Sequence, residues 1–457
     1  DYILTVDIFN EGVDIPSVNQ VIMLRQTQSS IVFVQQLGRG LRKSPGKEYL
    51  VVIDFIGNYA NNYLIPIALF GDDSLNKESI RRSLIAAEER GVIAGLSSIQ
   101  FDRIAQERVL KSLATTRLDS LQNLKAAIET VRNRVGRMPL LEDFLHFESV
   151  DPVVLATRSG NYPALLKQVF RIEHGLSRTE LNMLSVLSSE VLSSKRLHEA
   201  VILKSLLDSG SMSMEQIDGL LVSAGLSNGD HIIGSALRTL SLEFNTQPEQ
   251  TSYSNARVAQ QIESAKLSNE FARSYSSSTT FRREVDDLLR TTVRINVDRY
   301  DLSEPFTPAR QYSRKDASRL LGWKSNMSST IYGYRVDKTT ETCPIFVTLH
   351  KSDDVSSSTA YEDLLLDSST LLWYTRSRRT LASDEVRAIV NNEVELHVFA
   401  KKDDADGKDF YYLGCARSEQ PEQTTMRSGE SVVRMRLHFE HPIDPGVYNY
   451  FHQTVTG

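Results

Sequence analysis

Two arginines three residues apart, Arg39 and Arg42, have the types and spacing best suited to chemistry in this chain. They lie in the run QQLGRGLR, residues 35 to 42, whose frame of Gln35, Gly38, Arg39 and Arg42 is spaced QxxGRxxR. On a helix that spacing points both guanidinium groups the same way. At a cleft both can reach one polyanion, with the planar fork that phosphate oxygens accept. An arginine finger requires this arrangement, because it must neutralise charge on a transferring phosphoryl group. Upstream, residues 10 to 16 read NEGVDIP. There Gly12 permits close backbone approach, Asp14 offers an acceptor to ribose hydroxyls, and Pro16 ends the turn. Taken separately, the first run also fits a solvated helix end, and the second a plain strand-to-strand turn.

A second group lies far downstream. The run WYTRSRR, Trp373 to Arg379, mixes aromatics with Arg376, Arg378 and Arg379. Stacking on bases while neutralising phosphates calls for this composition. Lys401, Lys402, Tyr411 and Tyr412 could extend the same surface. The alternative is a basic loop over a tyrosine-rich core face. A PD-(D/E)xK nuclease is argued against, because Glu395 is followed by Leu396 and His397 where a lysine is needed. The histidines are dispersed and no HExxH occurs, which argues against a zinc hydrolase; no metal site is expected.

These residues need elements to hold them. Tyr2–Phe9 and Val18–Leu24 read as strands, Ser29–Leu41 as a helix, and Tyr49–Phe55 as a strand buried on both faces of a parallel sheet. Together they read as the end of a doubly wound α/β domain. Residues 74 to 173 read as helical. SLNKESIRRSLIAAEERG has a capping Ser and a closing Gly91, and DSLQNLKAAIETVRNRVG ends at Gly136. GRMPLLEDF, from Gly136, reads as a helix junction. Two helices in SSKRLHEAVILKSLLDSG and SMEQIDGLLVSAG fit a winged-helix or helix-turn-helix unit, or plain helical packing. Residues 245 to 280 are polar and read as an exposed connection, flexible around Ser276–Ser278. Beyond them TIYGYRV, CPIFVTLH, VELHVFAKK, DFYYLGCA and VVRMRLHFE have strand periodicity.

NEGVDIP and QQLGRGLR, in that order and about twenty residues apart, resemble motifs V and VI of the superfamily-two helicases. The branch they are most similar to includes restriction-enzyme motor subunits and nucleotide-excision helicases, and YLVVIDFIGN looks like the strand after motif VI there. The resemblance implies a second RecA-like domain that closes on ATP held by a first one. It gives Arg39 and Arg42 the role of fingers on the γ-phosphate, and Gln35 that of orienting water or phosphate. Asp14, with Gly12 and Gly38 nearby, would meet the nucleotide, and Thr5 the nucleic-acid backbone. The position often filled by a phosphate-binding Thr falls at Val6, with Thr5 one residue earlier. The segments YSRKDASRLLGW, IYGY, CPIFVTLHK, LLWYTRSRRTL and KDFYYLGCA resemble a C-terminal domain of unknown function, type 3427, that follows the motor in many bacterial helicases.

No GxxxxGK[ST] loop and no DExx box occurs, so ATP and Mg2+ would be held mainly by an N-terminal RecA-like half of the same polypeptide. The chain, opening without Met inside a patterned strand, reads as a fragment inactive by itself and carrying no cofactor. Its 457 residues suggest roughly two to four domains. A net charge of −6 excludes a uniformly basic coat but not a local basic groove. The two cysteines, Cys343 and Cys415, exclude a disulfide framework. With no long apolar run or signal peptide, no membrane partner is expected and the location reads as cytoplasmic.

The expected fold is multidomain. A partial RecA-like α/β end with a parallel sheet (1–70) leads to a helical accessory region (71–175). A helical stretch compatible with a winged helix (176–245) and a polar connection with helices (246–300) follow. Residues 301–457 form an α+β domain with a mainly antiparallel sheet. The expected function is the C-terminal portion of an ATP-dependent bacterial DNA helicase or translocase, acting in repair, restriction or phage defence. DNA is the expected partner, with RNA left open. The alternative is a non-catalytic nucleic-acid-binding or partner-binding module.

Overall fold

The computed structural model describes residues 16–24, 44–47, 50–54, 62–90, 103–261, 264–349, 363–403, 406–426 and 429–452. They fall into two compact units, residues 1–118 and 119–457. Among the described residues, no helix is long and apolar enough to cross a membrane.

In the first unit, β1 (Gln20–Met23) and β2 (Val51–Asp54) pair in parallel. The expectation of a strand buried on both faces fails here: Val51, Val52 and Ile53 are 41%, 37% and 40% exposed. Their apolar, β-branched character suits the extended backbone, but no described element covers them. Helices α1 (Leu64–Phe70), α2 (Lys77–Arg90) and α3 (Arg103–Thr115) follow. Asn76, not the expected Ser74, caps α2, its side chain accepting from the N–H groups of Glu78 and Ser79 at 2.9 and 3.4 Å. Ile80, Leu113 and Leu118 share a small core. This cluster lies within the first unit, which runs to Leu118.

The second unit opens with α4 (Leu121–Val135), whose ends are those read from sequence. Ser120 accepts the Asn123 N–H, and Gly136 closes the helix at φ 71°. Leu124, Ile128 and Val131 form its buried stripe. Then come α5 (Leu141–His146), α6 (Pro152–Arg158), α7 (Tyr162–Phe170) and α8 (Arg178–Val186), which runs into a π-helical turn at Leu187–Leu192. Next are α9 (His198–Ser209), β3 (Ser211–Met212), α10 (Met214–Ser223), α11 (Asp230–Leu240) and α12 (Gln247–Ser252). They lead to β4 (Ala259–Gln261), β5 (Ala265–Leu267), α13 (Asn269–Ser277) and α14 (Thr279–Arg299).

The stretch read as an exposed connection is largely solvent-facing, but it is folded and anchored by a few buried residues. Val258, Ala259, Ala265, Phe271 and Phe281 are buried, and Ser278 caps α14 by accepting the Phe281 N–H. Asp287, Thr291, Thr292 and Asn296 on α14 are buried as well. Their polarity resembles a solvated face only while their partners are unknown. Asp287, for example, accepts the N–H groups of Leu141 and Glu142 at 2.7 and 3.2 Å, supplying the first turn of α5 with acceptors it otherwise lacks.

The last region holds β6 (Gln311–Tyr312), α15 (Arg314–Leu320), β7 (Thr342–Thr348), β8 (Leu364–Asp367), β9 (Thr370–Tyr374) and α16 (Asp384–Val390). It ends with β10 (Glu395–Lys401), β11 (Phe410–Thr425), β12 (Ser431–Phe439) and α17 (Pro445–His452). The sheet order is β7-β10-β11-β12-β9-β8, with β6 on β11. β7 and β10 are parallel and the other pairs antiparallel, so the sheet is mainly antiparallel, as expected. An aromatic core of Phe306, Tyr312, Trp323, Phe346, Phe399, Phe410 and Tyr412 fills one side.

Candidate nucleic-acid interface

Thr5, Gly12, Asp14, Gln35, Gly38, Arg39 and Arg42 lie outside the described residues. The downstream group is described, and its geometry corrects the expectation. Alternation along β9 turns Leu371 and Trp373 inward. Trp373 is 3% exposed and meets the Tyr334 ring edge-on at 5.1 Å, so no base can stack on it. Lys401 and Lys402 are 8% and 6% exposed, their ammonium groups over the rings of Phe410 and Tyr450 at 5.0 and 5.3 Å. They belong to the interior, as do Tyr411 and Tyr412.

The three arginines follow the end of β9 and are paired. Arg376 donates to both carboxylate oxygens of Glu385, at 2.9 and 2.8 Å, while its guanidinium covers the Tyr334 ring at 4.6 Å. Arg379 bonds to the same carboxylate, and the Tyr334 hydroxyl donates to it at 2.9 Å. Burial pushes the Glu385 carboxyl up, but the bonds from Arg379, Tyr334 and Arg376 outweigh it and hold it below its ordinary value. Arg378 stands at φ 63° and donates to Glu430 at 2.8 Å, with its side chain 81% exposed.

Around Glu385 the surface dips into an open pocket of about 560 Å³. Arg335, Lys338, Arg376 and Arg379 line it, against Asp384 and Glu385. Four cations face two carboxylates, so the rim keeps a positive excess even with Glu385 saturated. Arg335 touches the Thr330 hydroxyl at 3.3 Å, and Lys338 is exposed. Three residues before Arg335, Tyr332 is 69% exposed. Such a pocket can take phosphate oxygens. Sequence reasoning missed Arg335 and Lys338, about forty residues before the other pocket arginines, and Glu385, whose bonds to Arg376 and Arg379 span nine and six residues.

The helical middle holds a second feature. The order α9, β3, α10, α11, β4, β5, with a small antiparallel sheet ordered β3-β5-β4, is that of a winged-helix unit. In a helix-turn-helix reader the last of these helices enters the major groove. Here α11 is buried from Ile233 to Leu237 and packs against α15. The Ser235 hydroxyl donates to the Arg319 carbonyl at 3.0 Å, and Arg196 donates to the same oxygen at 2.9 Å. That face is not free to read DNA.

Beneath it lies a buried ionic network that joins helical and β-rich regions. Glu190, on the π-helical turn, bonds to Arg319 and to Lys315 at 2.8 Å. It also accepts from Asn245 and Tyr253, both at 2.9 Å. Arg196 clasps Glu199, Lys315 reaches Glu249, and Lys195 reaches Asp316. Four cations thus balance four carboxylates; Arg196, Glu199, Arg319 and Glu190 are almost free of solvent, while Lys315 and Glu249 are partly exposed.

This is a chain with a parallel strand pair, a helical region holding a small three-stranded sheet, and an antiparallel-rich domain bearing a cationic pocket. Residues 306–451 match the family described as "Domain of unknown function (DUF3427)". Residues 124–301 match "Domain of unknown function (DUF8090)". The buried network therefore bridges the two matched segments. Over 135 residues the chain is 30% identical to "Putative ATP-dependent helicase IRC3" of Saccharomyces cerevisiae. That match covers 29% of this chain and spans 18% of the relative's length, and over it the chain is helicase-related in sequence.

Among solved structures, the SUVH5 SRA–fully methylated CG DNA complex is 17% identical. It covers 30% of this chain and 92% of that one, at a TM-score of 0.22. Arabidopsis thaliana SUVH6 in complex with SAM is 13% identical, covering 56% and 40%, at 0.24. Likeness at that level defines neither fold nor ligand.

Proposed function

We propose that the chain is the C-terminal portion of an ATP-dependent DNA helicase or translocase, with the expected bacterial, cytoplasmic setting in repair, restriction or phage defence. The observation that carries this reading is the ordered pair NEGVDIP and QQLGRGLR in a chain 30% identical over 135 residues to a protein named as a helicase. Arg39 and Arg42 act as fingers on ATP held, with Mg2+, mainly by an N-terminal RecA-like domain of the same polypeptide. Gln35 orients water, Gly12, Asp14 and Gly38 meet the nucleotide, and Thr5 meets the DNA backbone. Phosphate contact in the last domain passes from Trp373, Lys401 and Lys402 to the pocket of Arg335, Lys338, Arg376 and Arg379, with Arg378 beside it. The test is ATP turnover by the full-length polypeptide with and without DNA. Turnover stimulated by DNA supports the reading, and its absence contradicts it. A partner-binding platform is the second reading for the last domain, favoured by the burial of Trp373 and the pairing of its arginines.

A further inference from the structure

Three metal-binding side chain types meet across β10 and β11. Glu395, His397 and Phe399 alternate onto one face of β10, and His397 pairs directly with Cys415. Normal alternation would send Tyr412 and Cys415 to opposite faces. A β-bulge intervenes: Val398 pairs with Gly414 and Phe399 with Tyr412, leaving Leu413 as the extra residue. Both side chains therefore converge on His397. The Cys415 Sγ lies 3.2 Å from Glu395 Oε1, 3.5 Å from His397 Nδ1 and 3.2 Å from the Tyr412 hydroxyl. One donor atom from each of Glu395, His397 and Cys415 lies within 4.8 Å of the others. The His397 side chain is 1% exposed, and its Nε2 has no hydrogen-bond partner, 3.7 Å from Glu395 Oε2.

Two uses of a Cys–His–Glu trio compete. A nucleophile needs a ready thiolate, and the Glu395 carboxylate oxygen 3.2 Å from the Cys415 Sγ disfavours one. A metal needs only converging donors. Zinc bonds of roughly 2.3 Å to sulfur and 2.0 Å to nitrogen or oxygen put tetrahedral ligands roughly 3.3–3.6 Å apart. The sulfur-centred separations of 3.2 and 3.5 Å are close to that spacing.

The geometry points to a site for one zinc ion, held by Cys415 Sγ, His397 Nδ1 and Glu395 Oε1, with a fourth position open beside the Tyr412 hydroxyl. Binding replaces the Sγ proton, which leaves to solvent. The ion, thiolate, carboxylate and neutral imidazole then sum to zero charge, which suits a half-buried place. Nε2 keeps the ring proton, 3.7 Å from Glu395 Oε2. The half-exposed Glu395 leaves a path for the ion to enter.

Cobalt(II) is the probe, added to the untagged chain. A thiolate-to-cobalt absorption band in the near ultraviolet, removed by equimolar zinc, is the expected result. The chain has two cysteines, and Cys343 is fully buried on β7. Cys415→Ser therefore abolishes the band, whereas Cys343→Ser keeps it. Glu395→Gln changes an exposed group, leaves the circular dichroism spectrum intact and weakens zinc binding roughly 10–100-fold or more, since removing even an outer hydrogen-bond partner has an effect in that range. A folded parent chain with no charge-transfer band overturns the proposal. So does a band that survives Cys415→Ser, or zinc affinity unchanged in Glu395→Gln.

Discussion

Replacing Arg319 by Met should separate the helical and β-rich regions energetically while nearly keeping side-chain volume. Arg319 is 2% exposed, bonds to the Glu190 carboxylate and its carbonyl, and covers the Phe244 ring at 5.4 Å. Its loss strands a carboxylate that is 1% exposed, with Lys315 as its remaining ionic partner. Removing one member of such a buried pair costs about 3–5 kcal/mol. With a urea slope of about 3 kcal/mol per molar, the midpoint should fall by about 1 M or more. Trp323 and Trp373 are the chain's two tryptophans, both buried in the β-rich domain, so their fluorescence reports this unfolding. Acid adds a second reading. Burial pushes the Glu190 carboxyl up, but Arg319 and then Lys315 outweigh it and leave it at about 2, against an ordinary 4.5. The stabilisation is thus complete above about pH 4.5 and lost as pH falls towards 2. In Arg319→Met the loss should begin at higher pH. The double variant Glu190→Met/Arg319→Met, which removes both charges, should recover much of the difference. A single-variant cost under about 1 kcal/mol, the range of solvent-exposed pairs, would refute the network's role.

Gly322→Ala should destabilise the same junction, because φ is 73° and the new Cβ would lie 3.0 Å from the His231 carbonyl carbon. The left-handed backbone alone costs about 1–2 kcal/mol, and Gly136→Ala, at φ 71° with open space around it, isolates that part; the Gly322 variant should lose clearly more by thermal melting. His198 is held neutral by burial, and then by Arg196, to about 4 against 6.5, so the unfolded chain binds the extra proton between those values. Stability from this group is therefore full above pH 6.5 and declines towards pH 4, and His198→Gln should flatten that part of the stability–pH curve relative to the parent. Arg335→Ala/Lys338→Ala spares the Glu385 pairings and should lower the salt slope of duplex DNA binding by about 0.9 for each phosphate no longer neutralised. An unchanged slope would favour the partner platform.

Much of the scaffold was legible because local chemistry dictates it. Ser120 and Gly136 bracket α4 by capping alone; CPIFVTLH and VELHVFAKK became the continuously buried strands β7 and β10 as apolar runs, and VVRMRLHFE became β12 with partial alternation. IYGY formed isolated bridges at Tyr332 and Tyr334 instead of a full strand. The winged-helix strands were hidden because two or three residues cannot display a period. Buried charges such as Glu190, Glu199 and Arg319 imitate a solvated face, since their partners are tertiary. WYTRSRR misled because its aromatic lies inside β9 and its arginines beyond the strand end. Glu395, His397 and Cys415 meet through cross-strand register and a bulge that no linear spacing shows.

The most direct measurement of the central claim is steady-state, DNA-stimulated ATP hydrolysis by the full-length polypeptide carrying Arg39→Ala or Arg42→Ala. Loss of an arginine finger lowers turnover by roughly 10³-fold or more, while nucleotide binding, assigned to the other half of the site, persists. That combination is the result the helicase reading predicts. Near-parental turnover in either variant would contradict it.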